Sequence, residues 1–166
     1  FTSVHYKQST DQWQQTCANT GTAITDGTVA FNIAVTPAGT DSKFIVGASF
    51  SHAVIGTGQG MMGYFLVERA ISGGATTDLV GDAYGVRYRG THGVGHAYAT
   101  SHTGPTFQIF DAPSTASAVT YTLQFGTHSA TNTCSFGYPA TSGTGSATGW
   151  DNTGICKMWV FEYDGS

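Results

Sequence analysis

Apolar and polar residues alternate with a period of two along much of this chain. In VTYTLQF (119–125), Val119, Tyr121, Leu123 and Phe125 share one face, and Thr120, Thr122 and Gln124 share the other. That spacing is the signature of a half-buried strand. The preceding FQIFD puts Phe107 and Ile109 on one face and runs into a turn at Asp111-Ala112-Pro113-Ser114. Residues 107–125 are therefore predicted to form a hairpin that covers a core.

The same pattern predicts further strands. In TVAFNIAV (28–35), Val29, Phe31, Ile33 and Val35 face one way, after a turn at Asp26-Gly27. In KFIVGASFSHAVI (43–55), Phe44, Val46, Ala48 and Phe50 alternate with Ile45, Gly47, Ser49 and Ser51. ISGGATTD reads as a hairpin connection around Gly73-Gly74, and one short strand is expected near Cys134 and Phe136. No long segment keeps an apolar i, i+3, i+4 pattern, and Gly interrupts almost everywhere. Eight or more strands at short spacing predict an all-β chain, a jelly-roll-like β-sandwich.

Two strands break the simple pattern. In MMGYFLVERAI (61–71), Met62, Tyr64 and Leu66 oppose Phe65 and Val67; in ICKMWVFEY (155–163), Trp159, Phe161 and Tyr163 oppose Met158 and Val160. A sandwich strand normally shows water one face. Two apolar faces call for a second cover, and the economical cover is another subunit; a long loop lying over the strand is the alternative. Composition fits this picture. Only 10% of residues are charged while 13% are aromatic, which argues against disorder and suggests uncharged surface for an interface.

The remaining bulk features narrow the function. The chain has 166 residues and a net charge of −4, with its Lys and Arg scattered except Arg87 and Arg89. No basic stripe suggests nucleic-acid binding, and no run of about 18 apolar residues suggests membrane insertion. The chain reads as one domain over 1–166, expected to be the C-terminal part of a longer polypeptide because it begins at Phe1, with 1–27 as an N-terminal strand or a connection to a preceding shaft. Three cysteines, Cys17, Cys134 and Cys156, favour buried thiols folded in a reducing cytoplasm over a disulfide framework.

Candidate chemistry is sparse. GTGQG (56–60) precedes a strand, so it reads as a connection rather than a phosphate loop. His92, His96 and His102 are spaced by four and six; four residues along a strand span about 13 Å, too far for one metal. A shared metal would need loop folding or a threefold axis. The two glutamates, Glu68 and Glu162, sit in apolar strands, where a glycosidase pair would have to face across about 5–10 Å. Asp78 and Asp82 lack the dense spacing of a calcium loop and read as turn residues. No GxSxG occurs. No catalytic residue, cofactor site or metal site is assigned. Recognition is expected in the Ser-, Gly- and Thr-rich region 127–154, where Tyr138 and Trp150 stand beside Asp151 and Asn152, with His128 and Asn132 in the same region and His92 and His96 as further receptor-contact candidates.

Four segments together resemble a family of bacteriophage tail-fibre C-terminal and virion structural domains: TPAGTDSKFIVGASFS, LVERAISGGATTDLVGDAYGVR, FDAPSTASAVTYTLQF and the closing WVFEYDGS. The resemblance spans about 28–166, and its motifs are structural. It departs in the His-bearing segment 90–104 and the 138–150 loop. It implies a β-sandwich knob, usually a homotrimer, folded in the host cytoplasm and displayed on a virion. The expected function is the non-enzymatic receptor-binding tip of a tail fibre, with a host-cell surface glycan or protein, or other virion proteins, as partners. The alternatives are a capsid decoration or head-fibre protein and a carbohydrate-binding module of a secreted protein.

Overall fold

The structure, a computed structural model, describes residues 1–11, 13–55, 62–81, 90–95, 102–127, 131–137 and 155–165. Among these, every regular element is a strand: β1 (Ser3–Ser9), β2 (Trp13–Ala18), β3 (Thr22–Ala23), β4 (Asn32–Val35), β5 (Lys43–Ser49), β6 (His52–Ile55), β7 (Met62–Ile71), β8 (Thr76–Leu79), β9 (His92–Gly95), β10 (His102–Thr103), β11 (Thr106–Asp111), β12 (Val119–Thr127), β13 (Thr131–Phe136) and β14 (Cys156–Tyr163). All pairings are antiparallel.

These strands fill eight positions in two layers. In the front layer, β1-β14-β5-β11 is continued by β2-β13-β6-β10 in the same order. The chain passes from one row into the other between Ser9 and Trp13, at 50–51 and at 104–105. The last two bends lie side by side, and the Phe50 N–H donates to the Pro105 carbonyl at 3.0 Å. In the back layer, β12 pairs with β3 and β4 on one side and β7 on the other, and β7 then pairs with β8 and β9. Numbered along the chain, the positions run 1-8-3-6 in front and 2-7-4-5 behind. This is the winding of a jelly roll, two Greek keys folded together.

The core is the apolar content of the two inner faces. Phe44, Val46, Ala48 and Phe50 from β5 and its end, with Met158 and Val160 from β14, meet Val119, Tyr121, Leu123 and Phe125 from β12. The predicted faces of 43–50 and 119–125 are both buried as read. Aromatic rings interlock in the core: Phe50 of the front layer meets Phe31 at 4.9 Å and Phe65 at 5.5 Å across the layers, and within the back layer Phe125 meets Phe65 at 4.8 Å. Edge-on and tilted contacts of this kind suit the ring quadrupole and add to area burial.

Two expectations are corrected. Residues 107–125 are not a hairpin: β11 pairs with β5 in front, whereas β12 lies behind against β7, β3 and β4. The Asp111–Ser114 turn, with Ser114 at φ 53°, starts an arch between layers. Both strands bury faces toward the same core, and alternation specifies the buried face without specifying the neighbour. The strand predicted over 28–35 is regular only over 32–35. Asp26 accepts from the Thr28 and Val29 N–H groups, and the Thr25–Ala30 bridge closes this local loop. The turn chemistry wins over the alternation there, although Phe31 is still fully buried.

Candidate functional site

The outer surface of the front layer carries the most unusual pattern in the molecule. On β1 the alternation is inverted: Val4 and Tyr6 point outward, 57% and 72% exposed, while Ser3, His5 and Lys7 turn inward. The inward polar groups are satisfied. Ser3 donates to Glu162 at 2.9 Å, and Lys7 Nζ donates to the Ala30 carbonyl and Asn32 Oδ1 at 3.0 and 3.1 Å. These bonds fix the register, since a one-residue slip would exchange the two faces. Register aligns Val4, Phe161, Ile45 and Phe110 in one outward row across all four strands. The neighbouring row holds Tyr6, Trp159 and Gly47. The Trp159 indole lies over Gly47 so closely that a Cβ there would stand only 2.4 Å from the nearest ring atom.

The two strands with two apolar faces differ in how they are covered. On β7, Tyr64 and Leu66 are buried by the chain itself. The Tyr64 hydroxyl donates to the Asn19 carbonyl, Gly21 packs over Leu66, and Gly90 packs over Tyr64. This corrects the expectation that a subunit covers this strand. On β14 the outward Trp159, Phe161 and Tyr163 stay half-buried, beside 70%-exposed Phe110.

At one edge of the sandwich, β11 in front and β8 behind leave an open cleft of about 470 Å³, lined by Asp78, Leu79, Val80, Gly81, Thr91, Ile109 and Phe110. Among the described residues, both flanking strands are paired on one side only. Deeper in, Arg69 forms a 2.6 Å ion pair with Asp111, whose other oxygen accepts from the Tyr121 hydroxyl at 2.8 Å. Burial, then the Asp111 charge, pushes the Tyr121 hydroxyl far above the usual phenol range. This trio ties the end of β11 to the back layer.

Glu162 is a second buried anchor, 2% exposed. Burial pushes its carboxyl up, but the Ala38 N–H at 2.6 Å, hydroxyls of Ser42 and Ser3, and the charge of His5 outweigh that and hold it below the ordinary glutamate value. Glu68 bonds Gln124 on the outer side of the back layer, so the two glutamates lie in different sheets, on faces that do not meet.

Of the receptor-contact candidates, His92 is in β9, half-buried, with its ring stacked on Phe107 at 5.3 Å and 4°. Tyr138, Trp150, Asp151, Asn152 and His96 lie outside the described residues, as do Asp82, His128 and the GTGQG loop. His102 begins β10 and Asn132 lies in β13. Cys17, Cys134 and Cys156 are free and buried. Contact with Cys17, then burial, raises the Cys134 thiol, and burial pushes Cys156 up to about 11. Among the described residues no group of three or more His, Cys, Asp or Glu is placed to hold a metal.

β13 and β14 occupy one strand position, and the chain leaves it after Gly137 and returns at Cys156. Both points meet the same carbonyl: Gly137 N–H donates to Ser51 O at 2.8 Å, and Cys156 Sγ lies 3.8 Å from it. The residues that flank 138–155, the later part of the region expected to recognise a partner, thus both contact one backbone atom of the front layer. The sequence showed the region, but nothing in the pattern marked Ser51 as its anchor. β1 falls within the stretch 1–27 expected as an N-terminal strand or a connection, and nothing in that reading marked its inward polar face.

The sequence matches no protein-family model and no curated protein. Among solved structures it is similar to a chain in the structure of infectious bursal disease virus, Gx strain, at 11% identity and a TM-score of 0.42, over 95% of this chain and 37% of that one. At that score the likeness carries no argument; the fold stands on its strand order.

Proposed function

We propose that this chain is a non-enzymatic virion domain, the receptor-binding tip of a tail fibre, which recognises a host-cell surface glycan or protein and works as a homotrimer. The observation that carries this reading is the double tether at Ser51. It holds a long segment, rich in Ser, Gly and Thr and bearing Tyr138, Trp150, Asp151 and Asn152, on a rigid jelly roll. Binding residues are commonly carried on loops positioned by such scaffolds. The four sequence segments that resemble tail-fibre domains support the virion setting. The separation of Glu68 and Glu162 leaves no facing carboxylate pair between them for glycan cleavage.

The test is binding of the purified, labelled chain to susceptible host cells, beside a variant in which 138–154 is replaced by a short Gly/Ser linker. The expected result is saturable binding by the first and none by the second, with equal thermal stability. Binding that survives the replacement moves recognition off this segment. Absence of binding, combined with antibody labelling at the virion head, supports a capsid decoration role instead.

A further inference from the structure

We propose that β1 is a detachable strap: residues 1–8 lift off β14 as a unit, pivoting at Ser9, while the rest of the sandwich stays folded. The first observation behind this is where apolar side chains go. β8 and β11, also paired on one side only among the described residues, are held by the core, since Leu79 of β8 and Phe107 and Ile109 of β11 pack against it. β1 places no apolar side chain in that core or against it. Val4 and Tyr6 face outward, and Ser9 is the one buried residue of the strand. What pairs β1 is its backbone ladder to β14. The net worth of one such hydrogen bond does not exceed the entropy lost in ordering one residue. Other strands make up that difference by apolar burial, which β1 lacks.

The second observation is that water can replace what the inner face of β1 holds. Ser3 bonds Glu162, His5 Nε2 lies 3.2 Å from Ser3 Oγ, and Lys7 bonds the Ala30 carbonyl and Asn32. All three side chains are only half-buried, so hydration takes over these bonds when the strand lifts. Lifting leaves no carboxylate without donors, because Glu162 keeps the Ala38 N–H and the Ser42 hydroxyl. The ring of Phe1 meets Phe161 at 5.4 Å, but Phe1 is 83% exposed and the contact is a surface one.

The third observation fixes the pivot. Ser9 is buried opposite Cys156, and its hydroxyl accepts the Asp11 N–H at 3.1 Å. Trp13 then opens β2 stacked on Phe31 at 5.9 Å and on Phe136 at 5.1 Å. Release therefore stops at Ser9. It bares the backbone edge of β14 from Lys157 to Glu162, the kind of edge on which an extended segment pairs.

The experiment is hydrogen–deuterium exchange of the full chain, read by NMR in buffer and in rising urea below the unfolding transition. Amides of residues 3–8 that donate to β14 are expected to exchange at least about 100-fold faster than the ladder amides of β5. Their rate should hardly rise with urea, because the opening exposes little surface, whereas the β5 rate should rise steeply. Ser3→Ala and Lys7→Met are each expected to speed exchange over 3–8 by about 3- to 10-fold and to leave β5 unchanged. Exchange over 3–8 at the rate and urea slope of β5 overturns the proposal, because β1 then opens only when the whole sandwich does. Variants that speed both segments together, or that fail to fold, overturn it in the same way, since β1 would then be holding the sandwich closed.

Discussion

Arg69 on β7 and Asp111 at the end of β11 form a 2.6 Å ion pair that joins the two layers of the sandwich. Both side chains are largely buried, and Tyr121 completes the cluster through the second Asp111 oxygen. The motif Phe-Asp-Ala-Pro therefore does more than turn the chain: its aspartate locks the arch against the back layer.

Removing one partner of a buried pair leaves an uncompensated charge. Asp111→Asn is expected to lower unfolding free energy by about 3–5 kcal/mol. Tyr121→Phe loses one hydrogen bond and is expected to cost about 1 kcal/mol. Urea unfolding of the three proteins checks the order; equal midpoints for wild type and Asp111→Asn would remove the cluster from the list of structural anchors.

Glu162 makes stability acid-sensitive. Its folded-state pKa lies below the unfolded value. The contribution is therefore present above the unfolded value, about 4.3, and is lost as pH falls through the lower folded value. Unfolding midpoints of the wild type are expected to drop below about pH 4.5. Glu162→Gln, which leaves at least one of the converging donors poorly paired, is expected to cost about 1–3 kcal/mol at pH 7 and to flatten the acid limb. Some slope remains, because Asp26 is also held low: burial opposes its charge, but the Ser9 hydroxyl and the N–H groups of Val29 and Thr28 outweigh it. An unchanged acid limb in the variant would refute this assignment.

Gly47 is required by Trp159. Gly47→Ala forces the indole off the sheet, with an expected loss of about 1–3 kcal/mol from overpacking. The near-ultraviolet circular dichroism band of the tryptophans should change with it. A spectrum and midpoint identical to wild type would show that the ring moves freely.

The three thiols should be inert in the folded chain. Their reactive form is the thiolate, and burial together with the raised Cys134 and Cys156 values keeps it scarce at pH 8. DTNB is expected to label none over an hour in buffer and all three at once in denaturant. Rapid labelling of one thiol in buffer would point to local opening of its strand.

Much of this architecture is legible as periodicity. Val119 to Phe125 and Phe44 to Phe50 alternate cleanly because both strands are wetted or lightly covered on one side and buried on the other, the condition under which a period of two survives in sequence. Asp26-Gly27 and Gly73-Gly74 announce their turns through side-chain bonding and positive φ. The pairing partners of β11 and β12 are not legible, since a strand of either layer buries the same kind of residue. The inward polar face of β1 is not legible for a related reason: Ser3 and Lys7 turn inward where Glu162, Ala30 and Asn32, distant in sequence, accept their hydrogen bonds. Of the candidate contact residues, the structure describes His92 alone, and stacking on Phe107 makes it part of the sandwich edge.

The shared strand position of β13 and β14 has a consequence for how such a chain changes over generations. Whatever is spliced between Gly137 and Cys156 departs from and comes back to Ser51, so the hydrogen-bond ladders on either side keep their partners. Doubling the length of such a closed segment adds only about 0.6 kcal/mol of closure entropy. The segment is a socket: its contents can be exchanged, lengthened or grafted while the eight positions around it stay as they are.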